Sequence, residues 1–243
     1  KKKEKKGKKG NTKEEEEENG KEEWVFDLCD AIEKNNLKIA YRTSARVDNV
    51  SEKMLRRMYE TGCYSLSYGQ ESGSEVILKE YKKGITREQN INATILTRKA
   101  GIYSTVQLVI GSPGETRKTI EETIDFLKIL KRRIYSLNYL IPFPGTPVWQ
   151  YVLENNLISD VEAFLEQVAT RGGEYVLNLT KMPDKEWRNL ANFIEYKIGF
   201  DYMKRNRKYK GFLRLYVKYH LKEILPEGIN YHLVRLVQLY RVG

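Results

Sequence analysis

The sequence predicts an α/β fold: a partial parallel (β/α) barrel of the TIM type with about four strands, followed by a helical C-terminal region. Three observations carry this. Short apolar runs are each followed by a segment whose apolar residues fall at helical spacing, every glycine- or proline-rich loop lies on the strand-to-helix side, and after about Asn155 the strand pattern fades. The clearest unit is Val106 to Thr116, VQLVIGSPGET. Its unalternating run of Val106, Leu108, Val109 and Ile110 suits a parallel strand covered on both faces. Gly111 ends the run, Pro113 fixes the turn, Gly114 relaxes it, and Thr116 is placed to cap a helix with Ile120, Ile124, Leu127 and Leu130 on one face. In α/β folds such a loop lies at the carboxyl edge of the sheet and faces a ligand, although an ordinary βα turn has the same pattern.

The 243 residues are enough for one large domain or two small ones. With 40% hydrophobic and 31% charged residues and no apolar run of membrane-spanning length, the expectation is a soluble globular protein. Cys29 and Cys63 are isolated, which writes neither a disulfide framework nor a CxxC metal site and fits a reducing, cytoplasmic setting. His220 and His232 stand among Tyr, Leu and Lys and read as surface or packing residues. The net charge of +10 is concentrated at the end, where Lys181 to Gly243 holds 14 Lys and Arg against 6 Asp and Glu. A solvated helical face accounts for that excess, so nucleic acid is not the expected partner.

Taken in order, residues 1–23 contain only Lys, Glu, Gly, Asn and Thr and predict a disordered tail or at most a frayed helix. Residues 24–155 form the partial barrel. Val25, Leu28, Cys29 and Ile32 make a helix that Asn35-Asn36 stops, and a strand is expected over Lys38 to Tyr41. Ser51 can cap a helix with Met54, Leu55 and Met58 on one face, ended by Gly62. Ser65 to Tyr68 is the next strand, entering the loop Gly69 to Ser74. Thr86 and Gln89 form a capping box for a helix that reaches Ala100. The last strand, Leu137 to Ile141, leads into Pro142-Phe143-Pro144-Gly145-Thr146-Pro147, where Pro147 suits a first helical turn. Residues 156–243 are mostly helical and basic: a mixed segment, an amphipathic helix from Pro183-Asp184 carrying Trp187, Leu190, Ala191, Ile194 and Ile198, and helices over Gly211 to Leu225 and Asn230 to Arg241.

Taken together, ARVDNVSEKMLRRMYETGCYSLSYGQESGSEVILKEYKKGIT, AGIYSTVQLVIGSPGET and IPFPGTPVW resemble the second part of a radical SAM barrel of the type often joined to a cobalamin-binding domain. The resemblance covers about Trp24 to Asn155 and implies that these are the third to sixth strands of that barrel. It implies S-adenosylmethionine at the carboxyl ends of the strands, with Gly69, Gln70, Glu71 and Ser72 meeting the ribose and Glu71 accepting from its two hydroxyls. Lys83, beside Gly84, would neutralise the methionyl carboxylate, or is a solvated neighbour of Lys82. Gly111, Pro113 and Gly114 would approach the adenine, as would Pro142, Pro144 and Gly145 from the next loop, while Glu115 braces its own turn. Arg46 would point into the mouth of the barrel, at the cofactor or at a carboxylate such as Glu71.

The sequence departs from that family in one decisive respect. Three thiolates in a CxxxCxxC loop hold its [4Fe-4S] cluster, and no such motif occurs here; nor do the acidic-aromatic loop of the second strand or a cobalamin-binding segment. The expectation is therefore a portion of a radical SAM enzyme acting on an organic substrate, for example by methyl transfer, and inactive alone. The missing N-terminal half or a partner chain would supply the cluster. The other reading is a non-catalytic truncated barrel that serves as a binding module.

Overall fold

A computed structural model of the chain describes residues 13–131, 135–171 and 177–207. Four strands, β1 (Tyr41–Ala45), β2 (Cys63–Glu71), β3 (Tyr103–Ile110) and β4 (Tyr135–Tyr139), form one sheet in the order of the sequence. β1 pairs parallel with β2 and β3 with β4, so each strand must be followed by a crossover before the next. The crossovers carry α2 (Glu52–Glu60), then α3 (Glu75–Glu80) with α4 (Arg87–Lys99), then α5 (Arg117–Ile129). Helix α1 (Lys13–Lys34) precedes the sheet, and α6 (Pro147–Glu154), α7 (Val161–Arg171), α8 (Asp184–Arg188) and α9 (Leu190–Arg205) follow it. Among the described residues no helix is long and apolar enough to cross a membrane.

The local stop and start signals act as their chemistry requires. The Ser51 and Thr116 hydroxyls accept from the backbone N–H of Met54 and Thr119, at 3.1 and 3.3 Å, and open α2 and α5. Thr86 and Gln89 satisfy each other reciprocally ahead of α4, at 2.8 and 3.1 Å. Gly62 ends the turn after α2 at φ +101, where a Cβ would sit 2.0 Å from the Ile39 carbonyl oxygen.

Several boundaries differ from expectation. The first strand is Tyr41–Ala45 rather than Lys38 to Tyr41, because register with β2 selects it and not an apolar run; Arg42, Thr43 and Ser44 are all exposed. β2 continues through Gly69, Gln70 and Glu71, three residues expected in a loop. β4 begins and ends two residues before the expected Leu137 to Ile141. Helix α1 already runs from Lys13, through the glutamate tract that follows it. Asn189 breaks the helix expected from Pro183 into α8 and α9. The helices expected over 211–225 and 230–241, with His220 and His232, lie outside the described residues.

The chain divides into two compact units. The first comprises Lys1–Gly69 with Asn92–Thr105. In it, Cys29 and Ile32 of α1 and Met54, Leu55 and Met58 of α2 are buried, and Arg57 pairs with Asp30 at 2.6 Å and Glu33 at 2.7 Å. The second comprises Gln70–Ile91 with Val106–Gly243. Its core joins Val106, Leu108 and Ile110 of β3 to Ile120, Ile124 and Leu127 of α5, and both to Trp187, Leu190, Ile194 and Ile198. The amphipathic stripe of α9 thus finishes the core begun by β3. Removing the fully buried Ile194 side chain (Ile194→Ala) is expected to lower stability by about 3 kcal/mol in urea unfolding. A loss below about 1 kcal/mol would show that α9 is not part of this core.

Candidate cofactor site

The end of β2 is fixed by side chains that face inward. Gln70 donates through Nε2 to the Asn90 carbonyl at 3.0 Å, and Asn90 donates through Nδ2 to the Gln70 carbonyl at 3.1 Å, a reciprocal pair buried between β2 and α4. Ser72 Oγ lies 3.1 Å from Thr123 Oγ1 of α5, and the Gly73 N–H donates to the same threonine oxygen at 3.1 Å. Gly73 must be glycine here, since a Cβ would meet Phe126 Cβ at 2.5 Å. Gln70 and Ser72 therefore hold the loop, while Gly69 is exposed within β2.

Between these anchors Glu71 adopts φ +59, a left-handed conformation that costs a side-chain-bearing residue on the order of 1 kcal/mol and persists only where the surroundings impose it. Its carboxylate oxygen Oε1 sits 2.7 Å from Lys83 Nζ. Lys83 comes from the turn between α3 and α4, where Lys82 also has positive φ, +50, and Gly84 has φ +67 with open space where a Cβ would stand. The Glu71 and Lys83 side chains are 14% and 39% exposed, so the pair borders solvent. Two of the expected site residues are thus brought into direct contact.

The loop after β3 looks like a phosphate cradle but is closed from within. The Gly111 N–H donates to Glu115 Oε2 at 2.6 Å, the Ser112 N–H also serves that carboxylate, and the Gly114 N–H donates to Glu80 Oε1 at 3.2 Å. The Glu115 N–H is taken by the Ser112 carbonyl at 2.9 Å, and Pro113 has none to give. A loop whose N–H groups already face two carboxylates repels an anion, and its remaining carbonyls can only accept. Glycine is obligatory at both ends: a Cβ on Gly111, at φ +100, would lie 2.2 Å from the Trp187 ring, and one on Gly114 would lie 2.1 Å from Glu80 Oε2. Trp187 also stands edge-on to Tyr139 of β4, with ring centroids 4.9 Å apart.

Burial is the main electrostatic force at this loop. It pushes Glu115 up from 4.5 to about 7 despite the N–H donors, with the Glu80 charge acting in the same direction. The Tyr81 hydroxyl is driven upward by burial first and then by Glu115, Glu80 and Glu71. The Tyr81 and Ser112 hydroxyls lie buried beside each other without a hydrogen bond of ordinary geometry. The turn Pro142 to Thr146 after β4 is pinned by Thr146 Oγ1, which donates to the Phe143 carbonyl at 2.7 Å and accepts from the Trp149 N–H at 3.2 Å. Pro142 is buried, Pro144 and Gly145 are exposed, and Gly145 has φ +84 with open space around it.

In the other unit, Arg46 holds Asp48 in a two-point contact at 3.0 and 2.7 Å. Cys29 and Cys63 are buried free thiols. Thr61 Oγ1 donates to Cys29 Sγ at 3.4 Å, and Cys63 Sγ donates to the Ser65 carbonyl at 3.7 Å. Burial raises the Cys63 thiol, the wrong direction for a metal thiolate. Among the described residues no three His, Cys, Asp or Glu are grouped to hold a metal ion. Sequence reasoning missed Glu80, Tyr81, Asn90, Thr123 and Trp187. Only Trp187 had a readable signal, its place on an apolar helical stripe; the others act through tertiary contacts that no local pattern records.

Glu115 gives this site a pH signature. The unfolded chain releases this proton near 4.5 and the folded chain near 7, so the folded state holds more protons between those values. Stability should therefore fall as pH rises from 4.5 to 7, by on the order of 3 kcal/mol, and Glu115→Gln should flatten that slope. Parallel pH profiles for the two proteins, measured by urea unfolding, would show that Glu115 ionises normally.

Residues 12–127 match the family model described as the radical SAM superfamily. An uncharacterised methyltransferase of Pyrococcus horikoshii is 37% identical over 134 residues, which is 55% of this chain and 29% of that protein. The anaerobic magnesium-protoporphyrin IX monomethyl ester cyclase of Cereibacter sphaeroides is 26% identical over 201 residues, 79% of this chain and 31% of that protein. Among solved structures, the cobalamin-dependent S-adenosylmethionine radical enzyme OxsB with aqua-cobalamin bound superimposes with a TM-score of 0.51 at 18% identity, over 83% of this chain and 41% of that one. The radical S-adenosylmethionine methyltransferase TsrM from Kitasatospora setae, solved with tryptophan and an S-adenosylmethionine analogue, gives 0.50 at 20% identity, over 55% and 27%. The chain thus spans about a third of the length of these curated relatives. The solved structures support the fold, and the family model covers residues 12–127, a little under half of the chain, so that segment is similar in sequence to the radical SAM superfamily.

Proposed function

We infer that this chain is the S-adenosylmethionine-binding portion of a radical SAM enzyme whose complete form transfers a methyl group to a small organic substrate. The observation that carries the reading is the Glu71–Lys83 pair, an acid suited to a vicinal diol beside a base suited to a carboxylate, next to a glycine loop that turns anions away. S-adenosylmethionine has a diol, a carboxylate and an uncharged base, and no phosphate. Glu71 would accept from the ribose hydroxyls and Lys83 would neutralise the methionyl carboxylate. The loops at 111–114 and 142–145 would flank the adenine, with Gly69 at their margin and Gln70 and Ser72 holding Glu71 in place. The methyl-transfer reading draws on the names of the relatives.

In this family the bound cofactor, reduced by an iron-sulfur cluster, supplies a carbon-centred radical. The residues of this chain do not fit the cluster: it has two cysteines where three thiolates are needed, and both are buried in hydrogen bonds of their own. The cluster and any cobalamin would be held by residues outside this sequence, in a further segment or a partner chain. The exposed β1, an edge of the sheet, is suited to pair with a strand from such a unit. Two free thiols suit a cytoplasmic protein.

Two experiments test the reading. Calorimetric titration with S-adenosylhomocysteine should show binding that Glu71→Ala weakens at least about tenfold, the loss of a charge-assisted contact. Unchanged affinity would remove Glu71 from the site. Anaerobic reconstitution with iron and sulfide should leave this chain without a stoichiometric cluster, whereas about four irons per chain would show that its two cysteines suffice.

A further inference from the structure

The two residues assigned to opposite ends of the cofactor are bonded to each other. Lys83 Nζ lies on Glu71 Oε1 at 2.7 Å, and both segments bringing them together hold left-handed backbone, at Glu71 and at Lys82. A vicinal diol donates two hydrogen bonds and matches a carboxylate best through both oxygens, one of which is the oxygen Lys83 occupies. A ligand carboxylate likewise needs the ammonium that Glu71 already holds. Gly84, with φ +67 and no atom within 4 Å of a notional Cβ, leaves the lysine turn room to move. Glu71 has no such room, since Gln70, Ser72 and Gly73 on either side are bonded to Asn90 and Thr123.

Resting on the reading above, we propose that the Glu71–Lys83 ion pair is an exchangeable clasp that makes the site recognise both ends of the cofactor together. A ligand with a diol and a carboxylate replaces each partner of the pair with a new one, and no charge is left unmatched. A nucleoside lacking the carboxylate displaces Lys83 and gives it no anion in return. Free methionine takes Lys83 and leaves Glu71 without its cation. The clasp thus selects against the fragments that cleavage of the cofactor produces, and Lys83 is the moving member.

The test is the affinity of this chain for S-adenosylhomocysteine and for 5′-methylthioadenosine, which differ in the amino-acid end, in wild type, Lys83→Ala and Lys83→Arg. The wild-type chain should prefer S-adenosylhomocysteine at least tenfold. Lys83→Ala should erase that preference by weakening S-adenosylhomocysteine while 5′-methylthioadenosine binds at least as tightly as before; Lys83→Arg should restore most of it. Unchanged melting temperatures would confirm that the variants fold. A threefold or greater loss of 5′-methylthioadenosine binding in Lys83→Ala would overturn the clasp, because Lys83 would then be a fixed support for Glu71, and the nucleoside reading would stand. Binding of neither ligand to the wild-type chain would remove that reading and the clasp with it.

Discussion

Parallel pairing is the constraint from which the rest of this structure follows. A parallel strand cannot be joined to its neighbour by a tight hairpin, so each strand must run out of the sheet and return through a helix. The ends of β2, β3 and β4 therefore open on one edge, and the three segments that follow them share it. Those segments are polar and glycine-rich because backbone there must turn sharply while staying bonded. The reciprocal Gln70–Asn90 pair and the Thr123 hydroxyl show how side chains do that.

The site gains its character from the placement of carboxylates. Glu115 and Glu80 take the N–H groups of the 111–114 loop, so a sequence that could have formed an anion cradle instead repels anions. Glu71 remains at the solvent border, paired with Lys83. Two of these acids shape the loop, and the third is the one we propose meets the ligand. The distinction lies in burial and partners, since all three are the same residue type. Trp187 completes the arrangement from the distal part of the chain. Its ring occupies the space above Gly111 and meets Tyr139, so residues beyond the matched 12–127 help set the loop.

Much of this was legible in the residues. The run from Val106 that ends β3 at Ile110, the caps at Ser51, Thr86 and Thr116 and the prolyl start of α6 follow from local rules of backbone geometry and hydrogen bonding. However, β3 starts at Tyr103 and its burial alternates, so its apolar run is not covered on both faces as expected. β1 was misplaced because Arg42 to Ser44 have no apolar pattern; only pairing with β2 makes them a strand. The extension of β2 through Glu71 depends on Asn90, twenty residues away, and the break at Asn189 has no strong breaker to announce it. The site divides in the same way. Glu71, Lys83 and the 111–114 loop were visible as motif residues. The closure of that loop by Glu80, its contact with Trp187 and the ion pair across the site are tertiary facts.

The central claim is that the segments after β2, β3 and β4 surround one nucleoside. Photoaffinity labelling of the chain with an 8-azidoadenosyl derivative of S-adenosylhomocysteine, followed by peptide mapping, tests it most directly. The account predicts label in the peptides containing residues 111–116 and 142–147, competed away by unlabelled S-adenosylhomocysteine. Competable label confined to other peptides, or label that competitor does not reduce, would contradict it.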